Sequence, residues 1–197
     1  MGSGRPRRSS REPSRKDIAV RRLANRFCPS RRILRSSGDG VSTGTGEPKG
    51  YDMDRIDYRR VAPGGVELLG KLSVYSRECG IEHDLLEFVK LRASQINGCA
   101  HCVNLHAGTL RKDGETEERI QNVVVWREAT CFSERELAAL AWTEAVTLIA
   151  ESRAPDEVYA RARAQFDEKE LVDLTVAICT INAHNRLAVA FRRTPGS

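Results

Sequence analysis

Residues 83–106 read HDLLEFVKLRASQINGCAHCVNLH. Leu85, Leu86, Val89 and Ile96 recur at helical spacing, which predicts an amphipathic helix from about His83 to Gln95. Asn97-Gly98 is its stop, since both residues tolerate the backbone turn at which helices end. A further helix begins near Cys99 and ends at Asp113-Gly114. A thioredoxin-like Cys-x-x-Cys needs a strand before the motif; helices on both sides exclude that fold.

The pattern continues in both directions. Upstream, Pro63-Gly64-Gly65 opens a helix with Val66, Leu69, Leu72 and Val74, closed by Gly80. Downstream, Thr116 to Trp126 carries Ile120, Val123 and Val124 on one predicted helix. Ser133-Glu134-Arg135-Glu136 is a capping box, followed by an apolar run to Ile149. Pro155 suits a first helical position ahead of Val158 and Phe166. Asp167, with Glu170 three residues on, starts a long last helix reaching about Phe191. No segment alternates cleanly and no repeat has a fixed period. The expected fold is all-α, a compact bundle of six or seven helices, with Trp126 and Trp142 in its core or at subunit contacts.

Charge divides the chain. Residues 1–50 hold 13 Lys+Arg against 4 Asp+Glu, a net of +9; residues 51–197 hold 19 against 23, a net of −4. The first segment also holds 19 Gly, Ser or Pro and few apolar residues, too little apolar surface to offset ordering entropy. We therefore expect a disordered basic tail over residues 1–52 and a helical domain over residues 53–197. Three roles suit the tail: a translated leader ahead of a start at Met53, an Arg-rich transit peptide with Ile18, Val20, Leu23 and Phe27 on one face, or a nucleic-acid or membrane-surface arm. The mildly acidic domain gives no sign of binding nucleic acid itself. Its apolar stretches are broken by Glu144, Asp173 and Arg186, which leaves no uncharged run of roughly 18 residues to span a bilayer.

Of six cysteines, Cys131 and Cys179 lie in apolar segments and read as buried small hydrophobes. The lack of a secretory signal and of a regular cysteine framework suggests reduced thiols in a cytoplasmic setting. Cys99-Ala100-His101-Cys102, with His106 following, stands apart. On a helix Cys99, Cys102 and His106 share one stripe, with His106 a turn from Cys102 and placed to accept a thiol proton. The helix start lowers a thiol pKa, most of all for Cys99. Zinc would require a fourth ligand, Glu87 or Cys79. Glu87, on the preceding helix, either faces solvent or packs on the Cys/His face; half buried there, it would have a raised pKa and exchange protons with His106.

The array Glu87, Cys99, His101, Cys102 and His106 resembles the signature of the alkylhydroperoxidase AhpD-like proteins of the carboxymuconolactone decarboxylase superfamily. The stretch Leu91 to Cys102, the Trp142-Thr-Glu-Ala segment and the close Asn185 to Phe191 are similar to that group as well. The resemblance covers about Met53 to the C-terminus. It implies an all-helical subunit assembling into trimers or hexamers, and a peroxidase (peroxiredoxin-type) activity on hydrogen peroxide or organic hydroperoxides. Cys102 would attack the peroxide, Cys99 would resolve it as a disulfide, and His106, backed by Glu87 and assisted by His101, would deprotonate Cys102. An external dithiol, lipoyl-carrying or thioredoxin-like, would complete the cycle, with no metal, haem or flavin. The same residues also suit a non-catalytic redox sensor or disulfide carrier, or a decarboxylase-like enzyme using Glu87 and His106 without the thiols.

Overall fold

The computed structural model describes residues 55–195, and every regular element among them is helical. Seven helices exceed a single turn: α2 (Pro63–Glu78), α3 (His83–Ile96), α4 (Ala100–Lys112), α5 (Glu117–Asn122), α6 (Glu134–Thr147), α8 (Asp156–Arg163) and α9 (Glu168–Ala190). Two single turns, α1 (Tyr58–Val61) and α7 (Ile149–Ser152), complete the set. No helix of the described residues is long and apolar enough to cross a membrane. The tail expected over residues 1–52 lies outside the described residues.

Both anticipated capping boxes are present. Ser133 and Glu136 satisfy each other's backbone N–H groups at the start of α6, and Asp167 and Glu170 do the same at α9. Three local readings need correction. Residues 116–126 divide into α5 and a 3-10 turn over Val123–Val125, which buries Val123 and Trp126 in one cluster. Pro155 stands just outside α8 as its N-cap, with extended ψ, and the helix starts at Asp156. Cys179 is exposed, because it lines an open groove with Leu72 and Thr175, while Cys131 is partly buried against the core.

Helix α3 is the centre. Leu85, Leu86 and Val89 join Trp142, Phe166, Leu174 and Ile178 in one cluster. Phe88 and Leu91, on its other side, join Leu110, Ile120, Trp126 and Leu140 in a second. A helix buried on two faces must be apolar nearly all round, so Glu87 and Ser94, buried among these residues, call for polar partners. Trp126 and Trp142 are buried, as expected for core residues. Helix α2 is the opposite case: its Leu72 and Val74 are exposed, and only Ser76 is fully covered. Leu69 and Leu72 instead form one wall of an open apolar groove with Leu171, Val176 and Trp142.

Candidate active site

The turn from α3 to α4 positions the chemistry. Gly98 has φ of +66°, a left-handed conformation that glycine adopts at little cost, and it reverses the chain so that Cys99 becomes the N-cap of α4. Asn97 secures this turn. Its side-chain amide donates toward Asn182 Oδ1 at 2.8 Å, Asn185 Oδ1 at 3.0 Å and the Ala93 carbonyl at 2.8 Å. Asn185 in turn donates to Ser94 Oγ at 3.0 Å, and Asn182 to Thr147 Oγ1 at 3.1 Å. Asn182, Asn185, Ser94 and Thr147 are buried and Asn97 is partly so, which bolts the dithiol turn to α9 largely out of reach of solvent.

Cys99 and Cys102 face each other as a sulfur pair, with Cα atoms 5.3 Å apart. Both are buried, yet their surroundings differ. Cys99 Sγ accepts the Cys102 backbone N–H at 3.3 Å, which places it against the positive end of α4. Cys102, on the first turn, lines a cavity of about 370 Å³ that Glu87, Lys90, His101 and His106 also line.

Glu87 and His106 are brought together from α3 and α4, with Glu87 Oε2 2.7 Å from His106 Nδ1. Glu87 Oε1 accepts from Lys90 Nζ, also at 2.7 Å. Burial pushes the Glu87 carboxyl up, but the hydrogen bond and charge of His106, with the Lys90 ammonium, outweigh it and hold the group at about 2. The raised pKa expected for a half-buried Glu87 is therefore reversed: the group is almost wholly buried, yet its bonds with His106 and Lys90 keep it ionised. It acts as a fixed anion behind His106. With Nδ1–H donating to that carboxylate, Nε2 of His106 is left as the basic nitrogen.

His101 reaches the cavity from the exposed side of α4, its Nδ1 3.0 Å from the Thr194 carbonyl. His184 lines the same cavity with Nε2 3.0 Å from Ser73 Oγ. Burial lowers its pKa. Cys79, weighed as a zinc ligand with Glu87, instead donates to the Ser76 carbonyl. Among the described residues, the His, Cys, Asp and Glu donors grouped closely enough for a cation are the exposed His83, Asp84 and Asp113, not the cysteine motif.

Sequence reading overlooked three contributors. Lys90 sits one turn from Glu87, a spacing that i,i+3 pairing makes visible. Ser73 and Asn182 carried no local signal, because their partners lie 111 and 85 residues away.

A helical fold with a Cys-x-x-Cys at a helix start, backed by a buried Glu–His pair, defines the class. Residues 66–145 match the carboxymuconolactone decarboxylase family. The uncharacterized protein YdfG of Bacillus subtilis (strain 168) is 40% identical over 136 residues, which span 69% of this chain and 92% of YdfG. The chain belongs to this family, among its AhpD-like members. A crystal structure from Agrobacterium tumefaciens, of a protein of unknown function with a candidate role as antioxidant defence protein AhpD, is 43% identical. The match covers 73% of this chain and 99% of that one, with a TM-score of 0.71. The debrominase Bmp8 shares the fold at 16% identity and a TM-score of 0.63, over 68% of this chain and 73% of its own.

Proposed function

We propose that this protein is a thiol-dependent peroxidase that reduces hydrogen peroxide or an organic hydroperoxide through a Cys102/Cys99 dithiol–disulfide cycle. The observation that carries this reading is the asymmetry of the pair: Cys102 lines the cavity beside Glu87 and His106, whereas Cys99 caps the helix and is not among the cavity's lining residues. The helix dipole favours thiolate at Cys99, a term of about 0.3–1 kcal/mol at exposed sites. Access and a neighbouring base favour Cys102 as the attacking sulfur.

His106 Nε2 takes the Cys102 thiol proton, and Glu87 stabilises the imidazolium that results. The thiolate attacks the peroxide: an S–O bond forms, the O–O bond breaks, and the leaving alkoxide takes the proton from His106. The products are Cys102 sulfenic acid and an alcohol, or water when hydrogen peroxide is the oxidant. The Cys99 thiol then attacks the sulfenic sulfur, the disulfide forms and water leaves. An external dithiol, lipoyl-carrying or thioredoxin-like, restores both thiols and departs oxidised. His101 assists from the cavity wall. No metal, haem or flavin takes part in this scheme, which suits the reducing cytoplasm.

The exposed apolar stripe of α2 and its groove against α9 support association of copies, as a trimer or hexamer. Light scattering that finds a monomer at micromolar concentration would remove this part of the reading.

The test is peroxide consumption by the full chain with excess dithiol, compared with Cys102→Ser and Cys99→Ser. Many turnovers, abolished by Cys102→Ser, are expected. A single stoichiometric oxidation would instead identify a redox sensor or disulfide carrier. Catalysis that survives loss of both cysteines would shift the chemistry to Glu87 and His106, as in a decarboxylase-like enzyme.

A further inference from the structure

The cavity beside Cys102 carries more positive charge than thiol chemistry calls for. All four histidines of the chain line it, but His83 pairs with Asp113 and burial favours neutral His184, so the permanent charge comes from the arginines. Arg59, Arg77 and Arg193 line it too, against one carboxylate, Glu87. Both Glu87 oxygens are already engaged, by His106 and Lys90, so that carboxylate is committed away from the guanidinium groups. Arg59 and Arg77 make no ion pair or hydrogen bond among the described residues. Residues 51–197 are acidic overall, with 19 basic against 23 acidic side chains, so the excess is local to this cavity.

The cations share one space. Burial pushes the His184 pKa down, and Arg59 and Arg193 lower it further. Arg59 is held there by its helix: Tyr58 stacks on Phe191 with ring centroids 5.5 Å apart, and the Arg55 N–H donates to the Phe191 carbonyl at 2.9 Å. The remaining wall mixes apolar side chains, among them Leu105, Ile181 and Ala188, with hydroxyls such as Ser73, Thr109 and Thr180. Like charges gathered around one pocket repel one another unless an anion enters, and the low-dielectric parts of its wall focus their field on such a ligand.

We infer that the cavity is an organic-anion site, and that the hydroperoxide substrate carries a carboxylate held by Arg59 and Arg77 while its peroxide reaches Cys102. The anion site stands on the charges alone; its use for substrate rests on the peroxidase reading. About 370 Å³ accommodates a small aromatic or aliphatic acid.

The first experiment alkylates reduced Cys102 with iodoacetate and with iodoacetamide, in the full chain carrying Cys99→Ser, and follows the site by mass spectrometry. The ratio of the two rates cancels the thiolate fraction, which both reagents share, and leaves the response to reagent charge. We expect the anionic reagent to be the faster, and the ratio to fall about tenfold at low ionic strength in Arg59→Gln/Arg77→Gln. It stays high in Arg59→Lys/Arg77→Lys, which separates lost charge from lost structure. A ratio below one, as simple thiols give, or a ratio indifferent to the Gln pair, overturns the proposal. So does failure of both reagents to reach Cys102. The second experiment compares turnover of cumene hydroperoxide with that of its para-carboxylate, where kcat/KM is expected to favour the carboxylate about tenfold. Charge-selective alkylation without turnover of either hydroperoxide keeps the anion site and defeats the peroxidase reading. Turnover without preference for the carboxylate defeats the substrate assignment.

Discussion

Glu87 and Glu144 are two carboxylates withdrawn from solvent on core helices, and cations hold both. Glu87 has Lys90 and His106; Glu144 accepts from Arg92 at 2.6 Å and from Trp126 at 2.8 Å, and pairs with Arg127. Burial pushes each pKa up, and in each the partners more than reverse it. The electrostatics are alike, but the partners are not. Arginine and tryptophan do not release protons near neutral pH, so the Glu144 cluster is a clamp joining α3, α6 and the turn at Trp126. Histidine does, and His106 shares a cavity with Cys102. A buried anion becomes part of a reactive centre only where its partner can carry a proton and a substrate can reach it.

Substitution of each carboxylate breaks the comparison most sharply. Glu87→Gln is expected to lower peroxide turnover by about 10²–10³-fold, the share typical of a proton-transfer partner. Glu144→Gln leaves the turnover of folded protein unchanged. Equal losses in kcat/KM would make the two sites equivalent and sink the distinction. Each variant leaves one nearly buried cation, Lys90 or Arg92, without its carboxylate, so each loses about 3 kcal/mol in denaturant unfolding.

Acid pH probes what the two sites share. The folded pKa of Glu87, about 2, lies below its ordinary 4.5, so between these values the unfolded chain binds more protons than the folded one. Its contribution to stability is complete above pH 4.5 and disappears as the pH falls toward 2. Unfolding midpoints measured over that window should fall less steeply in Glu87→Gln than in the parent. A slope that does not change would show the carboxyl is not held ionised.

Two smaller effects concern the turn that presents the thiols. Asn185→Ala removes the donor to Ser94 and an acceptor for Asn97, at a cost of about 2 kcal/mol, with slower disulfide formation between Cys99 and Cys102 as the turn loosens. Rapid thiol counting after peroxide addition measures the second effect. At Gly98 a Cβ would meet nothing within 4 Å, so Gly98→Ala should cost only the left-handed backbone, about 1 kcal/mol. A cost well above that would indicate crowding that the turn does not show.

Much of this was legible in the chain. Helix ends are local events, and Ser133, Asp167, Gly80, Gly98 and Gly114 marked them because capping and positive φ depend on a few neighbouring residues. The stripe Cys99, Cys102, His106 followed from helical periodicity. What the chain left open or misread came from longer range. Val66, Leu69, Leu72 and Val74 gave α2 an apolar face, but whether a face is covered depends on what packs there, and here it borders an open groove. Glu87 was left open between solvent and the thiol face, and the sign of its shift was wrong because burial and pairing compete and only geometry sets the balance.

The sequence by itself therefore determined the helical class, the order and limits of most helices, and the dithiol with its histidine, all of which obey rules reaching four residues or fewer. Tertiary structure alone decided that Glu87 meets His106 across two helices, that Cys102 rather than Cys99 lines the cavity, and that α9 anchors the turn through Asn182 and Asn185. It also gathered arginines from both ends of the described chain around one cavity. Those pairings join residues far apart in sequence, and their energies depend on burial and distance, quantities that exist only once the helices have packed.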